Sequence, residues 1–281
     1  MLHRLQSTPI SLGGPGAVGL ATLTLWRREM VRFFRQRHRV VSALLTPVVL
    51  WLLLGSGLNN AFALPTEDPA GAIGYRQYFF AGTLTMILLF TAIFSTITVI
   101  EDRREGFLQG VLVAPVPRGA IALGKILGGA FIAMFQSILF LLLWPLVASG
   151  PGVSTGPGAI AAAAGVCLLM AIGLAGLGLC IAWPMDSVAG FHAIMMLFLM
   201  PMWFLSGAVF PMQGAAGWMK ALMWFDPMTY GQAALSAALR NGQTGTPMTA
   251  WQATLATTAL AVAAVALAGV VVGRSKKEAA P

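Results

Sequence analysis

The chain has 281 residues, of which 58% are hydrophobic and only 9% charged, and its formal net charge is +8. Soluble domains carry about 25% charged residues, so this composition excludes an ordinary water-soluble domain and points to a bilayer as solvent. The positive balance does not indicate nucleic-acid binding, because Lys and Arg border apolar runs and form no soluble basic face.

The first residues do not read as a secretory signal, since Arg4 is followed by Pro9 and a Gly/Pro stretch with no compact apolar segment leading to a cleavage site. Residues 1–39 are read as an N-terminal arm, and within it residues 17–39 predict an amphipathic helix. Arg28, Arg32, Arg35 and Arg39 are spaced 4, 3 and 4 apart and share one helical face. Leu23, Trp26, Met30 and Phe33 occupy the opposite face. Such a helix is expected to lie flat at the membrane interface, with Trp26 on its apolar side. Its arginines are expected to face anionic headgroups or a cytoplasmic partner.

Six runs are long and apolar enough to span: roughly 40–58, 78–100, 121–149, 159–182, 188–210 and 250–273. Pro47 and Pro201 predict kinks in the first and fifth. Fourteen Lys and Arg residues fall in the arm, in the loop after the second span and in the tail. Only Arg76, Lys220 and Arg240 fall on the other side. The positive-inside rule then places both termini in the cytoplasm, with a six-span domain over 40–273 and a tail over 274–281.

The loop between spans two and three, about 101–120, opens on Glu101, Asp102, Arg103, Arg104 and Glu105, then Gly106. The apolar stretch that follows is too short to span and ends at Pro115 and Pro117. It predicts a short amphipathic helix with charges at its start, where acidic residues suit the helix dipole. Such a helix is a knob for a socket on another protein, or else a solvated loop. Residues Gly119 to Lys125 match G-x-x-x-x-G-K, but Ile126 stands where a phosphate loop needs Ser or Thr, and a span follows rather than a strand-to-helix turn. Gly124 and Gly128 fit G-x-x-x-G, which permits close helix approach.

Cys167 and Cys180 lie within the fourth span and read as packing residues. In the short loop 183–187, Asp186 or Ser187 is expected to cap the fifth span, and His192 just inside it reads as a packed residue. Glu67 and Asp68, in the loop after span one, read as solvated. Asp226 is a good N-cap, Pro227 fits the first helical position, and Asn241-Gly242 ends a helix over 227–240. Gly214 to Trp224 predicts a second short helix before it.

The stretch EDRREGFLQGVLVAPVPRGAIALGK resembles the signature region of the ABC-2 family of ABC transporter permeases, through Glu105, Gly106, Leu108, Pro115, Arg118, Gly124 and Lys125. FLSGAVFPM (204–212) and DPMTYGQAALSAALR (226–240) are similar to that family's Ser-Gly-x-x-Phe-Pro and Asn-Pro-x-Thr-Tyr segments, with Asp226 where Asn is common. The resemblance implies an all-α membrane protein: six transmembrane helices, an N-terminal interfacial helix, and short re-entrant or external helices between spans five and six. It implies that Glu101, Asp102, Arg103, Arg104, Glu105, Gly106 and Arg118 form a coupling element on an ATPase subunit. Trp26, Arg28, Arg32 and Arg35 then belong to the interfacial helix. Gly207, Phe210, Pro211, Asp226, Pro227 and Tyr230 help close the exit.

On this reading the chain is the permease subunit of an exporter with no ATPase site, no metal and no cofactor of its own. Two ATPase subunits supply ATP and magnesium. The permease pairs with itself or with a like chain in a bacterial plasma membrane, and its cargo is amphiphilic or lipid-like. An ion- or proton-coupled carrier is the alternative, but no midplane ionisable groups or inverted repeats are evident. An intramembrane enzyme lacks any nucleophile or paired-carboxylate constellation.

Overall fold

The structure, a computed structural model, describes residues 15–59, 73–113, 116–148, 150 and 152–274. Expectations resting on Arg4, Glu67, Asp68, Pro115, Lys276 and Lys277 lie outside the described residues, as does the side chain of Arg39.

Among the described residues all regular structure is helical. Helix α1 (Pro15–Arg35) and helix α2 (Arg37–Gly57) meet at Gln36, whose φ of −90° and ψ of 69° interrupt the helical path. The single helix expected over 17–39 is therefore two, with the junction three residues before its predicted end. Helices α3 (Tyr75–Ser95) and α4 (Ile97–Arg104) follow, joined at Thr96, whose hydroxyl donates back to the Ile93 carbonyl at 2.7 Å. Helix α5 (Phe107–Val113) is short. Helices α6 (Arg118–Leu141) and α7 (Trp144–Val147) form the next rod, then α8 (Pro157–Ala182) and α9 (Val188–Leu205). A single 3-10 turn (Met212–Gly214) leads to α10 (Gly217–Phe225), α11 (Pro227–Leu239) and α12 (Ala250–Arg274).

The α3–α4 rod, the α6–α7 rod, α8, α9 and α12 are each long and apolar enough to cross a membrane, and α2 adds a shorter apolar stretch, Leu44–Gly57. The protein is an all-α, multi-pass membrane protein. Its rods run alternately up and down, so one end of the bundle gathers α1, the α4–α5 turn and the α8–α9 turn. The opposite end gathers residues 206–249.

Helix α8 sits at the centre, packed on α3, α6, α11 and α12. Its small residues make this possible, with Gly173 and Gly176 directly against Ala261 and Ala264 of α12. Helices α3 and α6 are joined by aromatic rings: Phe80 stacks on Phe140 at 4.5 Å, and Trp51 of α2 meets both edge-on. Helix α9 buries only Phe191, Met195, Leu199 and Trp203, one stripe at four-residue spacing, while Leu197 and Phe198 stay exposed on its other side.

At the far end, residues 206–209 run against α3. Tyr75 donates its hydroxyl to the Val209 carbonyl at 3.0 Å, and Tyr78 donates to the Gly207 carbonyl at 2.5 Å. Trp203 Nε1 donates to the Gly82 carbonyl at 2.9 Å. The approach is so close that a Cβ on Gly82 would lie 2.1 Å from the Ala208 oxygen. Backbone on both sides leaves no flexible group to yield, so Gly82→Ala is expected to cost about 2 kcal/mol. Thermal unfolding of the purified chain in detergent checks this, with Gly19→Ala, another helical glycine whose added carbon meets nothing within 4 Å, as the comparison expected to hold or slightly raise stability.

Candidate functional site: a buried charge cluster and the opposite end of the bundle

The charged residues at 101–105 do not open the amphipathic helix, as the sequence suggested. Glu101 to Arg104 form the last turn of α4, and Gly106, with φ of 76°, makes the elbow into α5. An L side chain is strained in that left-handed conformation, so Gly suits the position. The acidic pair therefore sits at the C-terminal end of a helix, where the dipole disfavours it. Cations from two other helices offset this.

Arg28 grips Asp102 with both guanidinium nitrogens, Nη1 to Oδ2 at 2.9 Å and Nη2 to Oδ1 at 2.7 Å. Arg32, one turn further along α1, donates to Asp102 Oδ1 at 3.0 Å and to Glu101 Oε2 at 2.8 Å. Lys125 of α6 reaches Asp102 Oδ2, Glu29 Oε1 at 2.6 Å and the Thr98 hydroxyl at 3.2 Å. Asp102 is fully buried, and Glu29 and Lys125 are buried with it. The arginines expected to face headgroups are thus divided: Arg28 and Arg32 turn inward to carboxylates, and Arg35 remains at the surface. The reason is that α1 packs on α6 as well as on the interface. Its apolar face meets protein, with Met30 and Phe33 against Ile132 and Trp26 edge-on to Phe131 at 5.4 Å. Gly124 and Gly128 do allow close approach here, with Leu25 and Glu29 of α1 lying over them.

The elbow is clamped on two sides. Arg28 lies over the Phe107 ring, 3.7 Å from its centre, which ties α5 to α1. Arg103 donates to Asp186 Oδ1 at 2.9 Å, to the Met185 carbonyl at 3.2 Å and to the Trp183 carbonyl. Arg104 Nε donates to the Asp186 carbonyl at 3.0 Å. Asp186 is thereby a partner of α4, and the N-cap of α9 is Ser187, whose hydroxyl accepts from Gly190 N–H at 3.1 Å. Glu105 is exposed apart from a 3.6 Å ion pair to Arg32, and α5 presents Phe107 and Val113 to the outside. Arg118 begins α6, and its Nη1 has no hydrogen-bond partner among the described residues. Because α6 is helical from Arg118 onward, the Gly119–Lys125 match is helix interior and not a phosphate-binding loop.

At the opposite end, Asp226 caps α11 by accepting from Met228 N–H at 2.9 Å, Pro227 takes the first helical position, and Asn241 and Gly242, both at positive φ, terminate the helix. Tyr230 donates to the Trp224 carbonyl at 2.8 Å and so ties α11 to α10. Gly207, at φ 83°, turns the chain toward Phe210 and Pro211. Arg240, buried, lies over the Tyr78 ring at 5.3 Å. Sequence reading missed Glu29, Tyr75, Tyr78 and Gly82. None carries a local motif, and each acquires its role from a partner far away in the chain.

The described bundle combines crossing apolar helices with a buried charge cluster at one end and the buried Asp226 and Arg240 at the other. The chain belongs to the ABC-2 type transporter family, whose sequence profile matches residues 21–239. It is 23% identical over 207 residues to a putative transport permease, ycf38, of Cyanophora paradoxa, covering 73% of this chain and 69% of that one. It is 24% identical over 234 residues to the daunorubicin resistance ABC transporter permease protein DrrB1 of Streptomyces coeruleorubidus, covering 80% and 76%. It is 24% identical over 159 residues to the probable multidrug ABC transporter permease YbhR of Escherichia coli K12, covering 56% and 42%. The protein is accordingly a transmembrane permease subunit of an ATP-binding cassette transporter.

Removing one member of a buried ion cluster leaves its partners uncompensated, so Asp102→Asn is expected to destabilise the protein by about 3 kcal/mol. The measurement is thermal unfolding in detergent, with α1 becoming accessible to protease. Asp226 gives a pH effect of known sign. Burial pushes its carboxyl up to about 7, with the Met228 N–H pulling the other way. A carboxyl that holds its proton more tightly when folded stabilises the fold at low pH, and that contribution drains away as pH rises from about 4 through 7. Wild-type unfolding temperature should fall across this window. Asp226→Asn should flatten the slope, because its amide oxygen still accepts from Met228.

Proposed function

We propose that this permease exports an amphiphilic or lipid-like cargo, driven by ATP hydrolysis on a separate ATPase that seats against the α4–α5 elbow. Two permease chains, identical or alike, enclose the path, and two ATPase subunits beneath them hold the ATP and magnesium. Both termini lie in the cytoplasm of a bacterial cell, and the membrane is the plasma membrane.

One observation carries this reading: the elbow has an inner side locked by charge and an outer side that is open and apolar. On the inner side Asp102 binds α1 and α6 into one unit. On the outer side Val113 and Glu105 face away from the bundle, and Phe107, though packed under Arg28, keeps one part exposed. A partner pressing on the outer side moves α1, α4 and α6 together. Arg118, at the start of α6 beside the elbow, is the further cation of this docking face. Residues 206–211 and helices α10 and α11 serve as the exit gate, held to α3 by Tyr75 and Tyr78.

The names of two relatives, a daunorubicin resistance permease and a probable multidrug permease, support an amphiphilic cargo. A proton- or ion-coupled carrier fits less well. The described spans carry carboxylates only at Glu101 and Asp102, at the elbow, whereas coupled carriers place theirs near mid-bilayer.

Glu105→Arg reverses an exposed charge at the docking face; Glu105 meets the cluster only through its 3.6 Å ion pair to the partly exposed Arg32, and Asp102 keeps its three cations. In vesicles reconstituted with the cognate ATPase it is expected to lower ATP-driven transport roughly tenfold while insertion stays normal. Unchanged transport would remove the elbow from the coupling role.

A further inference from the structure

A cleft of about 540 Å³ opens in the side of the bundle between α1, α2, α3, α6 and α9. Its walls include Met86, Phe90, Phe94, Met196 and Met200, soft and aromatic side chains that adapt to different apolar shapes. The volume is that of a site for a drug-sized molecule. Among the described residues, one buried polar atom in its wall has no hydrogen-bond partner.

Gln136 of α6 lines the cleft and is fully buried. Its Oε1 accepts a hydrogen bond from the Thr91 hydroxyl at 2.6 Å, and Thr91 lines the cleft as well. With Oε1 turned to Thr91, its Nε2 has no hydrogen-bond partner among the described residues. A buried N–H donor left unmade costs on the order of 1–3 kcal/mol, and more hydrocarbon around it makes the deficit no smaller. The two carboxylates at the rim do not call for a cationic ligand. Glu29 is already bound by Lys125 and Glu101 by Arg32. What Gln136 Nε2 lacks, among the described residues, is an acceptor.

We infer that the cleft admits an uncharged amphiphile whose carbonyl or ether oxygen takes the Gln136 amide proton while its apolar body packs on the Met and Phe walls. This rests on the transport reading and narrows its cargo: Gln136 distinguishes oxygen-bearing molecules from plain hydrocarbons. The same chemistry is offered by the ester of a diacyl lipid and by the ketone of a compact aromatic compound.

The test uses an alkyne-tagged benzophenone, a diaryl ketone with a single acceptor that labels nearby C–H groups on illumination. Labelling of the purified full chain in detergent is expected on Met86, Met196 or Met200, read by mass spectrometry. Untagged benzophenone should compete roughly five- to tenfold better than diphenylmethane, which has the same rings and no oxygen. Gln136→Leu should bring the two competitors together. Equal competition in the wild-type chain overturns the inference, as does labelling confined to other helices or a ketone preference that survives in Gln136→Leu. The wild-type comparison stands alone should the variant fold poorly. Displacement by dioleoylglycerol as well assigns the cleft to acyl lipid, and displacement by compact ketones alone assigns it to aromatic cargo; both uphold the role of Gln136. No ATPase is present in the assay, so its outcome is independent of whether the elbow couples to one.

Discussion

Asp102 is the residue on which the rest of this architecture depends. It has no contact with solvent, and three cations converge on it from two helices that lie far from it in sequence. Around it the charges balance, with Arg28, Arg32 and Lys125 against Glu29, Glu101 and Asp102. In a medium of low dielectric such a cluster contributes little net stability compared with well-packed apolar groups, but it is very costly to break. Its effect is therefore mechanical: α1, α4 and α6 separate only by stranding a charge, and so they move together.

That constraint explains local features that otherwise look unfavourable. Carboxylates at the C-terminal end of α4 oppose the helix dipole, and the guanidinium groups of α1 offset the conflict. Helix α1 has the composition of an interfacial helix but lies against α6, because its charged face needs Asp102 and its apolar face finds Ile132 and Phe131. The elbow at Gly106 then directs α5 away from the bundle, with Phe107 held back under Arg28.

Much of this was legible in the sequence, for definite reasons. A span announces itself through twenty apolar residues in a row, and a helix end through an Asp-Pro or an Asn-Gly pair, so the rods and the cap at Asp226 could be read directly. The arginine face of α1 was also visible, but not its destination. Periodicity says which residues share a face and nothing about what that face meets, and Arg28 finds Asp102 74 residues away. The same limit hid Glu29, whose partner Lys125 lies 96 residues on. Gly82 reads as one small residue in an apolar run until the backbone at Ala208 is laid against it. The break at Gln36 carries no Gly or Pro to mark it, and arises because α1 follows α6 while α2 turns to pack on α3.

The bridge from Arg103 to the 183–186 turn has a consequence for how load spreads through the molecule. It fastens the end of one hairpin to the start of another, through a side-chain ion pair and two main-chain oxygens. The end of α4 and the turn before α9 are therefore held to one another, although α9 itself is only lightly seated in the bundle. The least buried of the candidate spans among the described residues is thus the one tied to the elbow.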